Sequence, residues 1–164
     1  MLMNGIPSFR LEKDVINAEI DVLREMGVEF KCGVEVGEDI TIAQLREQGY
    51  KAFYIAIGAQ GGRMTGVPGE DAVGVETGVD FLRCVNLNEE GVKLSGKTVV
   101  IGGGNVAVDV ARTALRTGSS DVSMFCLESR DIMPAADDEV AEAEEEGIVV
   151  NNSWGCLLYT SDAA

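Results

Sequence analysis

The stretch Lys97-Thr98-Val99-Val100-Ile101-Gly102-Gly103-Gly104-Asn105-Val106-Ala107-Val108-Asp109-Val110-Ala111 constrains the fold more than any other. Its β-branched run, Val99 to Ile101, predicts a buried strand. The adjacent glycines predict a tight turn, and the spacing of apolar residues from Val106 to Arg116 predicts a helix. Gly102, Gly104 and Ala107 stand at the G-x-G-x-x-G/A spacing of a dinucleotide-binding turn, with Gly103, Asn105 and Val106 completing it. The first glycine permits the turn, and the second lets backbone N–H groups approach a diphosphate. The small third residue lets helix and strand pack closely, with the helix N-terminus aimed at negative charge.

The context agrees with the spacing. Asp121 to Leu127 reads as the next strand, and Glu128 follows it, 24 positions after Gly104. A carboxylate about 20 residues beyond the glycines is placed to accept a hydrogen bond from a ribose hydroxyl. An ordinary βα turn, or another ligand on the same unit, is the competing reading of these residues.

Charge narrows the partners. With 28 acidic against 13 basic residues, the net charge of −15 argues against nucleic acid and anionic membrane. No segment approaches the roughly 18 apolar residues of a membrane span, and no basic start with an apolar core suggests a signal peptide. These features point to the cytoplasm. Cys32, Cys84, Cys126 and Cys156 are far apart, and the chain has no histidine. A metal or iron–sulfur site within this chain, or a disulfide framework, is therefore not expected.

Read in order, Asp14 to Met26 predicts a helix stopped by Gly27. Val28 to Val36 alternates as a strand. Thr41 to Gln48 predicts a short helix with Thr41 and Gln44 at capping-box spacing, and Gly49 as its terminator. Lys51 to Ile57 reads as an apolar strand ending in Gly58-Ala59. From Gln60 to Asp71, glycines, Pro68 and charges mark a connection. Thr77 to Val85 reads as a helix. After Glu128, Met133-Pro134-Ala135 leads into an acidic helix from Asp137 to Glu146. Its charges read as a solvated face. Ile148 to Asn151 starts a third strand. The class is α/β, with a mostly parallel sheet and flanking helices.

Seven ordered motifs carry a family resemblance: Gly5-Ile6-Pro7 with Phe9-Arg10-Leu11, Gly27-Val28-Glu29-Phe30, Ala56-Ile57-Gly58-Ala59, Pro68-Gly69-Glu70-Asp71, Asp80-Phe81-Leu82-Arg83, the segment from Gly102 to Asp109, and Met133-Pro134-Ala135. Over roughly residues 3 to 155 the chain resembles the glutamate synthase small-subunit family of flavin-dependent pyridine-nucleotide oxidoreductases. The resemblance implies two nested Rossmann-like domains, one for FAD and one for NAD(P). Residues 1–60 would be the C-terminal part of the FAD domain, 61–96 an inter-domain connection with a short helix, and 97–155 the N-terminal half of the NAD(P) domain. Gly5, Ile6 and Pro7 would lie near the flavin. Val36 would contact the adenine through its backbone, and Gly58-Ala59 would pass close to FAD. The family's first glycine fingerprint would precede Met1, and its iron–sulfur cysteine clusters would also lie outside this chain. Hydride would pass from the nicotinamide to the flavin, and electrons would leave for a partner subunit or iron–sulfur centre. No side chain here is required as a nucleophile or base. Asn105 would meet phosphate or the neighbouring domain, and Asp109 would brace the domain contact.

Charge at the end of the second strand bears on the choice of nicotinamide cofactor. A 2′-phosphate favours arginine at the end of the second strand, where many relatives carry a pair. Leu127-Glu128 stands there instead, so NADH is expected over NADPH. Arg130, two residues on, and Ala107 in place of glycine favour NADPH. The alternative function is a non-catalytic NAD(P)-binding module, and a methyltransferase on the same unit fits the flanking motifs less well. Residues 156–164 read like a translated sequencing adapter, since one frame of the transposase mosaic-end sequence encodes all nine.

Overall fold

A computed structural model describes residues 1–88 and 91–155. The adapter-like tail, with Cys156 and Tyr159, lies outside the described residues. The chain forms two compact units: Lys13–Gln60, and Met1–Glu12 together with the chain from Gly61 onward.

In the unit Lys13–Gln60, helix α1 spans Lys13–Glu25. It stops where Gly27 takes φ +88° and the Val28 N–H reaches back to the Leu23 carbonyl at 3.1 Å. Helix α2, Ile42–Glu47, carries the expected capping box. The Gln44 N–H donates to Thr41 Oγ1 at 3.2 Å, and the Thr41 N–H donates to Gln44 Oε1 at 2.8 Å. The two strands expected here are not formed. Residues 28–36 and 51–57 run without a ladder, apart from one bridge between Val36 and Ile40. Their alternating side chains, Tyr54, Ile55 and Ile57 among them, are exposed. The reason is physical: a strand is held by hydrogen bonds to a neighbour, and among the described residues neither segment has one.

In the other unit, helix α3 (Gly78–Leu87) starts on the Thr77 side chain. Three parallel strands follow in the order β1-β2-β3: Lys97–Ile101, Asp121–Phe125 and Val149–Asn151. Lys97 pairs with Asp121 and Ile101 with Phe125, while Ser123 pairs with Val149 and Phe125 with Asn151. Helix α4, Asn105–Arg116, connects β1 to β2. A short 3₁₀ turn, Arg130–Ile132, and helix α5, Asp137–Glu145, connect β2 to β3. Parallel neighbours need such helical crossovers.

Val100, Val122 and Met124 point from the sheet to Val108, Ala111 and Ala114 of α4 and to Val140 and Ala143 of α5, forming the core. The β-branched run is buried on this face alone. Val99 and Ile101 are 61% and 58% exposed. A parallel sheet is buried when helices cover both faces, and among the described residues helices cover one.

Helix α5 presents the expected solvated acidic face, with most of its carboxylates exposed, and several of them also make ion pairs. Glu146, at its C-terminus, accepts from Arg112 Nε at 2.9 Å and from Arg116 Nη2 at 2.8 Å, and Glu142 also pairs with Arg112. Glu139 accepts from Arg10 at 2.9 Å, and Glu144 sits 3.4 Å from Arg130. The carboxylates therefore tie α5 to α4 and to the N-terminal segment. Hydrogen bonds from Arg116, then Arg112, hold the Glu146 carboxyl below its ordinary range, against the effect of burial. A lowered folded-state pKa contributes stability that is present above the unfolded pKa and lost as pH falls through the folded value. Glu146→Gln should thus lower stability near neutral pH and flatten its decline in acid. Urea melts at neutral and acidic pH would check both.

Candidate functional site

The glycine turn forms the predicted strand-to-helix corner. Gly102 adopts φ +141°, a conformation that residues with a side chain rarely take, and its N–H bonds to the Phe125 carbonyl at 2.9 Å. A Cβ built on Gly102 would come to 3.4 Å from the Ala107 methyl, so the small third residue of the fingerprint packs directly over the first glycine. A Cβ on Gly103 would meet Cys126 Cβ at 2.9 Å and Glu128 Oε2 at 3.0 Å. One on Gly104 would meet no protein atom within 4 Å. The turn is therefore closed toward the sheet at Gly103 and open at Gly104.

Gly104 is the N-cap of α4 and supplies no side-chain cap, and the first turn holds no acidic residue. The Gly104 carbonyl accepts from Ala107 and Val108, whereas the N–H groups of Asn105 and Val106 have no partner among the described residues. Unclaimed donors at the positive end of a helix, beside a position without a side chain, suit a diphosphate.

The Glu128 carboxylate, at the exit of β2, lies against Gly103, so the structure brings this sequence-selected acid to the turn. Arg130 is not brought there. It lies on the exposed 3₁₀ turn and faces Glu144. The Asn105 side chain is occupied: its Oδ1 accepts the Ala136 N–H at 2.9 Å, while the Ala135 N–H donates to the Gly103 carbonyl at 3.0 Å. Met133-Pro134-Ala135 is thereby fastened to the glycine turn. Cys126 was outside the sequence-selected set, yet its Sγ packs behind Gly103 and accepts from Asn152 Nδ2 at 3.1 Å. Nothing in an isolated buried thiol signals that role in the sequence.

Among the residues assigned to FAD, Gly5, Ile6 and Pro7 form an N-terminal turn in which the Gly5 N–H meets the Met1 carbonyl at 2.7 Å and Pro7 is buried. Val36, Gly58 and Ala59 belong to the unit Lys13–Gln60. They are exposed there, with Gly58 at φ +67°.

Residues 37–152 match the family described as pyridine nucleotide-disulphide oxidoreductase. The chain belongs to that family. This oxidoreductase chain is 44% identical over 152 residues to the NADP(+)-dependent formate dehydrogenase subunit beta of Moorella thermoacetica, covering 91% of the chain and 21% of the relative. It is 40% identical over 157 residues to the glutamate synthase [NADPH] small chain of Halomonas elongata, covering 90% and 33%. The structure of Mycobacterium tuberculosis FprA in complex with NADPH superposes with a TM-score of 0.66 at 25% identity, covering 88% of the chain and 37% of that protein. The chain thus spans 21 to 37% of the length of these relatives. The glutamate synthase resemblance and the Rossmann-like α/β class both hold. No helix among the described residues is long and apolar enough to cross a membrane.

Proposed function

We propose that the chain is part of a cytoplasmic flavoprotein that takes hydride from NADH to FAD and hands electrons to a partner subunit or iron–sulfur centre. On this reading residues 1–60 belong to the FAD domain, 61–96 to the connection and 97–155 to the nucleotide domain. The observation that carries it is the open, uncapped start of α4 over the triple-glycine turn. When bound, the nicotinamide and flavin supply the hydride chemistry themselves, and the protein supplies position and field. The N–H groups of Asn105 and Val106 and the bare backbone of Gly102 to Gly104 would hold the diphosphate, with Ala107 setting the close approach. Gly5, Ile6, Pro7, Val36, Gly58 and Ala59 would lie along FAD. No side chain needs to act as nucleophile or base. Purification of the full-length protein and a visible spectrum test the reading. Absence of flavin absorbance would remove it.

NADH is preferred because the carboxylate that lies against Gly103 is Glu128, which would repel a 2′-phosphate and accept from a free 2′-hydroxyl. Arg130 is engaged by Glu144 rather than turned to the glycines. The relatives named above carry NADP(+) or NADPH in their names, so the preference is a point of divergence that kinetics decides. Wild-type kcat/KM should favour NADH, and Glu128→Arg should move the ratio toward NADPH by about 10- to 100-fold. A wild-type preference for NADPH would overturn the assignment.

A further inference from the structure

The N-terminal segment that carries Gly5-Ile6-Pro7 lies on α4, the same helix whose first residues form the cradle. Arg10 makes the anchor closest to that cradle. Its Nε donates to Asp109 Oδ1, and its Nη1 donates to Glu139 Oε1 at 2.9 Å. The Pro7 carbonyl accepts from the Arg10 N–H at 3.0 Å and the Leu11 N–H at 3.2 Å, so Arg10 and Pro7 share one turn. Phe9 lies farther along α4, 4.8 Å from the Arg112 guanidinium and 4.1 Å from that of Arg116. At about 1.5 Å per residue, Asp109 is only about 7 Å along the helix from Gly104.

We propose that Arg10 is a positioning residue for hydride transfer, fixing the Gly5-Ile6-Pro7 turn to the dinucleotide-binding end of α4 through Asp109. The inference rests on the flavoprotein reading above.

Two further observations favour positioning over mere adhesion. First, as a stability device the cluster is poor. One guanidinium serves two carboxylates, and Arg10 Nη2 and Glu139 Oε2 are buried with no hydrogen-bond partner among the described residues. A buried ionic network that leaves polar atoms unpartnered adds little net stability, so adhesion alone is a weak account of these contacts. Second, Asp109 places a negative charge about one helical turn behind a diphosphate site. Arg10 offsets that charge while holding the flavin-side turn. Reacting centres must be held to a fraction of an ångström, so a small drift of either turn falls on the transfer step rather than on nucleotide affinity.

The test uses the full-length protein in anaerobic stopped-flow reduction by NADH, with Arg10→Ala, Arg10→Lys and Asp109→Asn variants. Arg10→Ala should slow flavin reduction by about 10- to 100-fold while changing the NADH dissociation constant less than about 3-fold. Lysine, a point charge without the planar fork, should restore only part of the rate. Asp109→Asn should add little to Arg10→Ala, because both cut the same link. A readout independent of turnover is hydrogen exchange without nucleotide. Arg10→Ala should raise exchange at the Gly5 and Ile6 amides and leave the α4 amides protected. Where Arg10→Ala does not fold, the lysine variant decides, with a wild-type rate counting against the proposal. Unchanged flavin reduction in a folded variant, with or without a lowered Tm, would reduce Arg10 to a structural brace and overturn the inference. A wild-type protein lacking flavin would instead overturn the reading beneath it.

Discussion

Gly104→Asp should abolish nucleotide binding while leaving the fold as stable as before, or slightly more so. The two effects separate because the position is closed to neither backbone nor protein atoms. Gly104 sits at φ −96°, ψ 170°, which any residue adopts, and an added Cβ meets nothing within 4 Å. As the N-cap of α4 it contributes no side-chain acceptor, whereas aspartate would accept from the first-turn N–H groups, a gain of a few tenths of a kcal/mol over glycine. The same carboxylate would occupy the donors and carry negative charge into the space proposed for the diphosphate. A loss of at least about 100-fold in NADH affinity, roughly 2.7 kcal/mol, is the expected outcome. Titration of NADH into the intact flavoprotein, with a urea melt alongside, reads both. Unchanged affinity would mean that the start of α4 is not the diphosphate site. Lost affinity with lost stability would mean that Gly104 is a packing position after all. The contrast is Gly103, where a Cβ would collide with Cys126 Cβ at 2.9 Å and stability should fall first.

Local rules explain why some elements were legible in the sequence. The Thr41–Gln44 capping box, the glycine stops at Gly27 and Gly147, and the Gly102 corner depend on residues within a few positions of one another. Glu128 was legible because a parallel βαβ unit brings the end of its second strand beside the turn after its first. What failed was non-local. Residues 28–36 and 51–57 have strand-like patterns, but a pattern states only which side chains share a face, not whether a neighbour exists to pair with. The acidic helix was only half legible for the same reason. Its face is largely exposed, but Glu139, Glu142, Glu144 and Glu146 are paired with arginines 14 to 129 positions away, and no spacing rule connects them. The resemblance assigns Asn105 to phosphate or the neighbouring domain, and it gives no sign that the Asn105 amide oxygen accepts from Ala136, a partner 31 residues on.

Arg112 is the clearest case of a side chain whose weight the sequence conceals, and its removal should cost the most stability of the ion-pair substitutions in α4. It reads as one polar residue in an amphipathic helix, yet it is only 7% exposed. Its guanidinium binds Glu142 and Glu146 and lies over Phe9. Burial acts to lower its pKa, but hydrogen bonds and charge from Glu146 and Glu142 outweigh that and leave it raised, so it stays charged in the folded protein. Cutting a buried ion pair on one side costs about 3–5 kcal/mol. Because Glu142 is half exposed and Glu146 keeps Arg116, about 2–3 kcal/mol is expected for Arg112→Met. Arg116 binds the same Glu146 from a position 40% exposed, where solvent screens the pair, and Arg116→Met should cost less than about 1 kcal/mol. Arg112→Lys should resemble the methionine variant more than the wild type, since an ammonium cannot make the forked contact and stack on the ring together. Urea denaturation of the three variants gives the ranking. If Arg112 and Arg116 proved equal, the clamp between α4 and α5 would be a surface charge pairing rather than a buried joint.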